Sequence, residues 1–354
     1  MHFIQNSLNR WKEIILLTLL IRTVLFIFPL FFDNNLESFF SRWVRWDGPH
    51  YIEIAENGYQ TQGEPALFIV FYPFYPLLIR ILSFITAEFQ MGAILISTFF
   101  SIVAAIILYE LILLDFNKKT ALLAVWFLNI FPVSYFLQAS YTESLFLSLS
   151  LLCLYFYRTG MFVSAGVAGA LSTMTRINGL FLFPLLLLET KRLGRSAVAF
   201  LLMPVGFLSY LLINKLTFGD FFYFQKPLQS NWYKKLEYPW VGIQNLINSI
   251  PDFQNPNFYI YFSEIVAIIF IAIFTTFVFF RVRKSYGIYM FLNLALLTST
   301  NFILSTPRYA LLLFPVYIAL AMIKQKTLII LISAIFLSLL FYLTNLYTQG
   351  RWAF

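Results

Sequence analysis

The residue best suited to acid–base chemistry is Asp47, in the stretch from Trp46 to His50. Pro49 fits the first turn of a short helix that ends before Gly58, which places Asp47 at the amino end of that helix. The helix dipole favours an ionised carboxylate there. Such a carboxylate beside tryptophans suits a general base that takes a proton from a hydroxyl group. The alternative is an ordinary helix cap with interfacial aromatic neighbours.

Ionisable side chains within or beside long apolar runs are costly, so each one suggests a function. They are Arg22, Arg80, Glu143, Arg176 and Arg308. Arg308 follows Pro307 at a predicted helix start, where free backbone N–H groups, the positive dipole end and the guanidinium would form an anion site suited to phosphate. Arg176 stands in a similar position before another helix. The alternative is that each arginine pairs with a carboxylate or reaches lipid headgroups.

Glu143 has two interpretations. It follows Ser140 by three residues, the capping-box spacing, so a structural role at a helix start is preferred. A divalent metal held by Asp47, Glu143 and another acid is the alternative, because oxygen ligands would suffice. The chain has two histidines and one cysteine, Cys153, so we expect no His/Cys metal site, no intrachain disulfide and no other cofactor.

The elements that must position these residues are membrane helices. Of 354 residues, 60% are hydrophobic, 20% aromatic and 11% charged, which excludes a water-soluble globular protein. Apolar runs of about 17 to 25 residues match a hydrocarbon core of about 30 Å. We assign the net charge of +8 to cytoplasmic loops and not to nucleic-acid binding. The sequence therefore predicts an all-α polytopic membrane protein with a single domain, residues 1–354.

We expect about eleven crossings, beginning with an uncleaved first helix. The predicted spans are 14–32, 91–114, 120–137, 141–158, two short helices within 161–188 that turn at 176–179, 196–216, 259–281, 286–304, 307–323 and 327–347. The basic loop clusters then fall on the cytoplasmic side, and the carboxyl end on the outer side. Residues 33–89 and 217–257 become the first and second outer loops.

The first outer loop is predicted to contain interfacial helices. An amphipathic helix would place five residues on one face at the membrane surface: Leu36, Phe39, Phe40, Trp43 and Val44. Residues 65–89 contain three prolines, so we expect a helix that lies at the outer interface or dips into it. Farther along, Gly166 and Gly169 are predicted to allow close helix packing.

The run from Arg45 to Tyr59 closely resembles the W-D-G-x-H-[FY]-x-x-I-A-x-x-G-Y signature of PIG-V-like mannosyltransferases, relatives of GPI mannosyltransferase II. Similar stretches follow in the same order: FYPFYPL at 71–77, YTESLF at 141–146, TRING at 175–179 and Pro307-Arg308-Tyr309. The likeness covers about residues 40–320. Residues 217–257 align with nothing in it.

The resemblance implies a GT-C-type glycosyltransferase bundle that uses a polyprenyl-phosphate-linked sugar, mannose in this family. It implies inverting transfer, in which the catalytic Asp47 deprotonates or orients an acceptor hydroxyl while lipid phosphate departs. Arg308 and Arg176 would stabilise that phosphate. The remaining candidate substrate-binding residues are Trp46, His50, Glu143 and Tyr309, and His50 is equally suited to a structural role. The acceptor would be a glycan, a glycolipid or a protein.

A transporter or flippase of an anionic lipid or sugar-lipid is the main alternative function. It predicts two similar halves with broken helices near the membrane midplane, whereas the charged motifs here gather at the outer edge. A non-catalytic scaffold would leave the carboxylate and arginine positions unexplained. The abundant Phe, Ile and Asn and the lack of an Asn-x-Ser/Thr sequon favour a prokaryotic plasma membrane, with the active site on its outer face.

Overall fold

The computed structural model describes residues 2–32, 39–255 and 257–354. These residues form an all-helical bundle. Its α-helices are α1 His2–Ile27, α2 Gly48–Asn57, α3 Phe74–Thr86, α4 Phe89–Leu113, α5 Lys118–Ile130, α6 Glu143–Arg158, α7 Phe162–Thr173, α8 Leu182–Glu189, α9 Ala197–Phe218, α10 Gln225–Ser230, α11 Pro239–Asn248, α12 Phe258–Arg281, α13 Lys284–Thr298, α14 Thr306–Leu311, α15 Pro315–Ala321 and α16 Lys326–Thr348. Short 3-10 helices join them at Phe28–Phe31, Ser41–Trp43, Glu64–Val70, Ser134–Leu137, Ile177–Phe181 and Gly194–Ser196.

Five helical segments in the described residues are long and apolar enough to cross a membrane. They are Trp11–Phe31, Phe89–Leu113, Gly194–Phe218, Phe258–Arg281 and Lys326–Thr348. Large apolar side chains on their surfaces are exposed, as expected for contact with lipid chains. The chain is therefore a multi-pass integral membrane protein, as predicted.

The predicted total of eleven crossings is not confirmed, because several predicted spans are short or broken. The span predicted at 120–137 ends as an α-helix at Ile130, since Phe131 precedes a proline and adopts an extended ψ of 139°. The span predicted at 307–323 is divided into α14 and α15, and Pro315 starts the second piece. α6 has 16 residues, a length of about 24 Å.

Helices α7 and α9 pack closely through glycines, as predicted for Gly166 and Gly169. A Cβ atom at Gly169 would lie 2.6 Å from Met203 Cγ, and one at Gly206 only 1.8 Å from the Ala170 carbonyl oxygen. Only glycine permits this approach of the two backbones. The contact fixes α7, and α7 leads directly to Arg176.

The prediction of an amphipathic surface helix around Trp43 is wrong for residues 39–44, the part of it that the structure describes. Leu36 lies outside the described residues. The following residues form only a 3-10 turn, Ser41–Trp43, and Trp43 is 1% exposed. Its ring stacks on Phe26 with centroids 5.7 Å apart, so it belongs to the core and not to a lipid-facing surface.

Residues 65–89 form a bent pair of helices. The 3-10 helix Glu64–Val70 meets α3 at 115°, the geometry of a broken span or a re-entrant segment. Phe84 and Ile85 at the far end of α3 are more than four-fifths exposed. Arg80 is also exposed on this helix. Arg22, by contrast, is buried in the bundle, where it donates to the Ser134 carbonyl (2.7 Å) and to Asn129 Oδ1 (3.2 Å).

Helix ends that the charge pattern assigns to the cytoplasm are joined by an ionic network. Asp115 accepts two bonds from Arg158, at 2.6 and 2.7 Å, and one from Arg283 at 2.8 Å. Arg283 also bonds Glu189 at 2.9 Å. Burial opposes ionisation of Asp115, but the two guanidiniums outweigh it and lower the pKa of this carboxyl. Four chain segments are thus tied at one end of the bundle.

Candidate active site

The loop that carries Asp47 is held by hydrogen bonds to its backbone. Trp46 has a φ of +54°, a left-handed conformation that is strained for a side chain of this size. The Tyr141 hydroxyl accepts a bond from the Asp47 N–H (3.1 Å) and donates one to the Arg45 carbonyl (2.9 Å). Tyr141 therefore fixes both sides of the strained residue, and α2 begins directly after Asp47.

The last long helix supports the same loop from the other side. The Tyr347 hydroxyl donates to the Trp43 carbonyl at 3.1 Å, and Arg45 Nη2 donates to the Thr348 carbonyl at 3.0 Å. Both partners lie at the carboxyl end of α16. The position of Asp47 thus depends on residues about 300 positions away in the chain.

Asp47 occupies the predicted position at the start of α2, but it does not act as a cap. Among the described residues, its side chain accepts no hydrogen bond from the first turn of the helix. Instead Oδ2 faces Arg308 Nη1 at 3.1 Å, and 26% of the side chain remains exposed. The ordinary-cap alternative is therefore not what the structure shows.

Glu143 forms the centre of an ionic cluster, and the predicted capping box is wrong. Thr142, and not Ser140, is the residue before α6. The Glu143 side chain is fully buried, and Oε1 lies 2.7 Å from Arg176 Nη1 and 3.2 Å from Arg308 Nε. The Glu143 carboxylate does not cap the helix, because it pairs with the two arginines instead.

Arg176 and Arg308 both pair with carboxylates, which was the alternative to a free anion site. Arg176 also donates to Thr142 Oγ1 at 2.9 Å and lies over the Tyr309 ring, 5.2 Å from its centroid. Arg308 lies 5.2 Å from the centroid of Tyr141. The two guanidiniums and the carboxylates of Asp47 and Glu143 balance in charge. Such pairing is what allows four charged groups to remain in a bundle interior.

The anion site predicted at the amino end of α14 is not free. The N–H groups of Ser305 and Thr306 donate to the two oxygens of Glu264, at 2.6 and 2.7 Å, and Pro307 has no N–H. Glu264 is fully buried in α12. Glu264 was not among the residues predicted from the sequence, although a carboxylate within an apolar span was the signal that could have identified it. Glu264 holds the start of the helix that carries Arg308.

A cavity of about 510 Å³ opens over this cluster. Six of the seven candidate residues line it: Trp46, Asp47, His50, Arg176, Arg308 and Tyr309. Glu143 does not; it lies behind the arginines. Further wall residues that sequence reasoning did not identify include Trp232 and Lys234 from residues 217–257 and Trp352 from the carboxyl-terminal stretch. The cavity is large enough for a sugar ring and mostly apolar around its charged side.

His50 and Trp46 form aromatic parts of the wall. The His50 ring packs against Phe68 and Phe71, with centroids 4.2 and 5.2 Å away. Burial lowers the pKa of His50 below its usual 6.5, although the charges of Asp47 and Glu64 oppose this. The imidazole is therefore neutral at pH 7 and can both donate and accept a hydrogen bond. Trp46 contacts the edge of Trp352, with centroids 5.0 Å apart.

Asp47 and Glu143, the two acids considered for a divalent metal, have no third acid beside them among the described residues. Within the part of the chain that the structure describes, no group of three His, Cys, Asp or Glu side chains could hold an ion. Asp47 and Glu143 each face an arginine. The oxygens considered as metal ligands therefore accept contacts from guanidiniums instead.

The overall fold is similar to that of ArnT from Cupriavidus metallidurans, solved bound to undecaprenyl phosphate. The TM-score is 0.58 and the sequence identity 13%, and the match covers 90% of this chain and 62% of ArnT. At this identity the likeness concerns the fold alone. It supports the predicted GT-C-type helical bundle.

Sequence comparison finds curated relatives in eukaryotes. GPI mannosyltransferase 2 of Schizosaccharomyces pombe is 30% identical over 153 residues, which are 42% of this chain and 32% of that protein. GPI alpha-1,6-mannosyltransferase 2 of Rattus norvegicus is 30% identical over 159 residues, which are 42% of this chain and 32% of that protein. The chain spans about a third of the length of these curated relatives. The pattern of the mannosyltransferase (PIG-V) family matches residues 15–229, a stretch that contains Asp47, Glu143 and Arg176. The chain therefore belongs to the PIG-V mannosyltransferase family.

Proposed function

We propose that this protein transfers mannose from a polyprenyl-phosphate-linked donor to an acceptor hydroxyl, with Asp47 as the general base. The observation that carries the proposal is the ionic cluster on one wall of the cavity, where Asp47 Oδ2 lies 3.1 Å from Arg308 and Glu143 bridges Arg308 and Arg176. A partly exposed carboxylate next to guanidiniums supplies the two groups that displacement of a phosphate needs, a proton acceptor and a cation.

In the proposed reaction, the acceptor hydroxyl donates a hydrogen bond to the exposed part of Asp47. As the hydroxyl oxygen attacks the anomeric carbon, its proton passes to the carboxylate. The bond between that carbon and the phosphate oxygen breaks, and its electron pair leaves with the lipid phosphate. Attack on the face opposite the phosphate inverts the configuration of the anomeric carbon.

Arg308 and Arg176 stabilise the charge that develops on the phosphate. Glu143 and the rings of Tyr141 and Tyr309 hold the guanidiniums in place before substrate arrives. Charged groups that are already oriented need little reorganisation during the reaction, which is what makes them effective. His50, neutral at pH 7, hydrogen-bonds the sugar.

The choice of substrates rests on the relatives. Proteins named as GPI mannosyltransferases support mannose as the sugar, and ArnT, solved with undecaprenyl phosphate, supports a polyprenyl-phosphate carrier. The acceptor is a glycan, a glycolipid or a protein. A transporter is not favoured, because the family is one of transferases and the charged residues of the motifs converge on a single cavity.

We also propose about eleven crossings, with the cavity on the outer face of a prokaryotic plasma membrane. The ionic network of Asp115, Arg158 and Arg283 supports placing those helix ends on the same side of the membrane, and the Lys/Arg bias assigns that side to the cytoplasm. The only cysteine, Cys153, is buried, so introduced cysteines can be labelled cleanly. An impermeant maleimide should label Asp252→Cys but not Arg192→Cys in intact cells. The reverse pattern would invert the topology.

The test of the activity uses purified protein in nanodiscs with radiolabelled polyprenyl-phosphate mannose. Release of lipid phosphate should depend on Asp47, and Asp47→Asn should lower it by at least about 100-fold while the protein stays folded. Glu56→Gln, on the exposed side of α2, is the matched control and should be fully active. Normal turnover by Asp47→Asn would refute the assignment of the base.

A further inference from the structure

A second cavity of about 400 Å³ adjoins the one over Asp47. The same six residues line both: Ile177, Asn178, Phe224, Leu228, Lys234 and Tyr309. The two cavities are therefore neighbours that share one wall. The junction between them is marked by a lysine and a tyrosine.

The positive charges that line the two cavities differ in their partners. In the first cavity, both guanidiniums already face carboxylates, so the cluster of Asp47, Glu143, Arg176 and Arg308 carries no net charge. Lys234, at the junction, has no carboxylate within ion-pair distance among residues 2–32, 39–255 and 257–354. Its half-buried ammonium interacts with the buried carboxylate of Glu264 only beyond ion-pair distance, so it is a positive charge without a direct partner that a ligand in these cavities would meet.

The backbone around Lys234 is firmly held, so this charge has a defined position. The Lys234 N–H donates to the Leu228 carbonyl at 2.9 Å. Its neighbour Lys235 donates to Asn301 Oδ1 at 2.7 Å and accepts from the Asn301 N–H at 3.0 Å. Lys235 itself is exposed and pairs with Glu237 at 3.2 Å. The two adjacent lysines thus differ: Lys234 lines both cavities without a direct ion pair, whereas Lys235 lines only the second cavity and pairs with Glu237.

The second cavity provides apolar space next to the lysine. Much of its wall is formed by the side chains of Phe224, Leu228, Leu236, Leu296 and Leu297. Leu296 and Leu297 belong to the last turn of α13, so this wall is continuous with a helix of the bundle. An apolar space with one cation at its mouth is complementary to an amphiphile that has a single anionic head.

We infer that Lys234 binds the phosphate of the lipid-linked donor at the junction of the two cavities. The first isoprene units of the lipid then lie along the leucines of the second cavity, and the sugar extends into the first cavity towards Asp47. This assignment rests on the proposed function. In this arrangement Lys234 makes the first contact with the donor phosphate, and Arg176 and Arg308 stabilise the charge that develops on the phosphate during transfer.

Binding of undecaprenyl phosphate without a sugar tests the inference directly, using the purified full chain in detergent. Lys234→Met keeps the length of the side chain and removes its charge, and we expect about 10- to 100-fold weaker binding, the usual value of a charge-assisted hydrogen bond. Lys234→Arg should stay within about threefold of the wild type, since it restores the charge. Lys226→Met is the matched control and should bind normally, because this exposed lysine pairs with Asp220 and lines neither cavity.

Two further measurements separate the possible failures. Binding of undecaprenol, which lacks the phosphate, should be the same in the wild type and in Lys234→Met. Equal affinity of these two proteins for undecaprenyl phosphate, or no binding by either, would overturn the inference. Asp47-dependent transfer combined with normal binding by Lys234→Met would refute the lysine site alone. Lys234-dependent binding without any transfer would refute the proposed reaction and leave a lipid-phosphate site.

Discussion

A double-mutant cycle on Glu143 and Arg176 tests whether charge balance holds the site together. Their side chains are 0% and 11% exposed, and the closest N and O atoms are 2.7 Å apart. Glu143→Gln leaves two guanidiniums with one carboxylate, a net charge of +1. Arg176→Met leaves the opposite excess, −1. The double variant is neutral again, because Asp47 and Arg308 still pair.

The expected magnitudes follow from the burial of the pair. Removing one partner of a buried ion pair costs about 3–5 kcal/mol, so each single variant should lose that much free energy of unfolding. The double variant should lose at least about 2 kcal/mol less than the sum of the two, because neither charge is left alone. Its transferase activity should stay low, since Arg176 no longer faces the phosphate.

The assay is unfolding in mixed detergent micelles with increasing dodecyl sulfate, followed by circular dichroism. The exposed pair of Lys118 and Glu13, 3.7 Å apart and about 60% exposed, is the control. The same cycle there should give a coupling below about 1 kcal/mol. If the effects of Glu143→Gln and Arg176→Met simply added, the argument from charge balance would be refuted.

Three other changes test separate parts of the structure. Glu264→Gln leaves one N–H at the start of α14 without an acceptor, so kcat should fall about 10- to 100-fold with little change in KM for the donor. An unchanged kcat would exclude a role of Glu264 in positioning Arg308. Burial lowers the pKa of His50 below 6.5, so as the pH falls the unfolded chain binds a proton at His50 before the folded chain does. The free energy of unfolding should therefore fall as the pH drops below 6.5, and it should fall less in His50→Gln. Gly206→Ala should cost about 3 kcal/mol in an unfolding titration, whereas Gly92→Ala, whose Cβ has no neighbour nearer than 3.6 Å, should be harmless.

Local features of the site could be predicted from the sequence. Proline and glycine set the ends of α2, predicted as Pro49–Asn57 and found as Gly48–Asn57, with Gly58 at φ +74° as the terminating residue. The turn at Arg176 likewise follows from a short run of residues. Such features depend on backbone preferences within a few positions, and these are encoded next to the residues concerned.

Features that depend on distant partners could not be predicted in the same way. Glu143 has the spacing of a capping box, yet its partners are 33 and 165 positions away. The amino end of α14 presents free N–H groups in the sequence, and only the folded bundle brings Glu264 to them. A local sequence pattern shows which hydrogen bonds a group is able to form, but a stronger partner from a distant part of the chain determines which bond it does form.

The bonds from α16 to the loop of Asp47 have a consequence for biosynthesis. Arg45 and its partners Tyr347 and Thr348 are separated by 302 and 303 positions. At about 5–20 residues per second, a ribosome needs about 15 to 60 s to cover that distance. During this time the loop lacks the hydrogen bonds that α16 gives it in the complete fold. The backbone around Asp47 therefore reaches its final set of contacts only after α16 has joined the bundle.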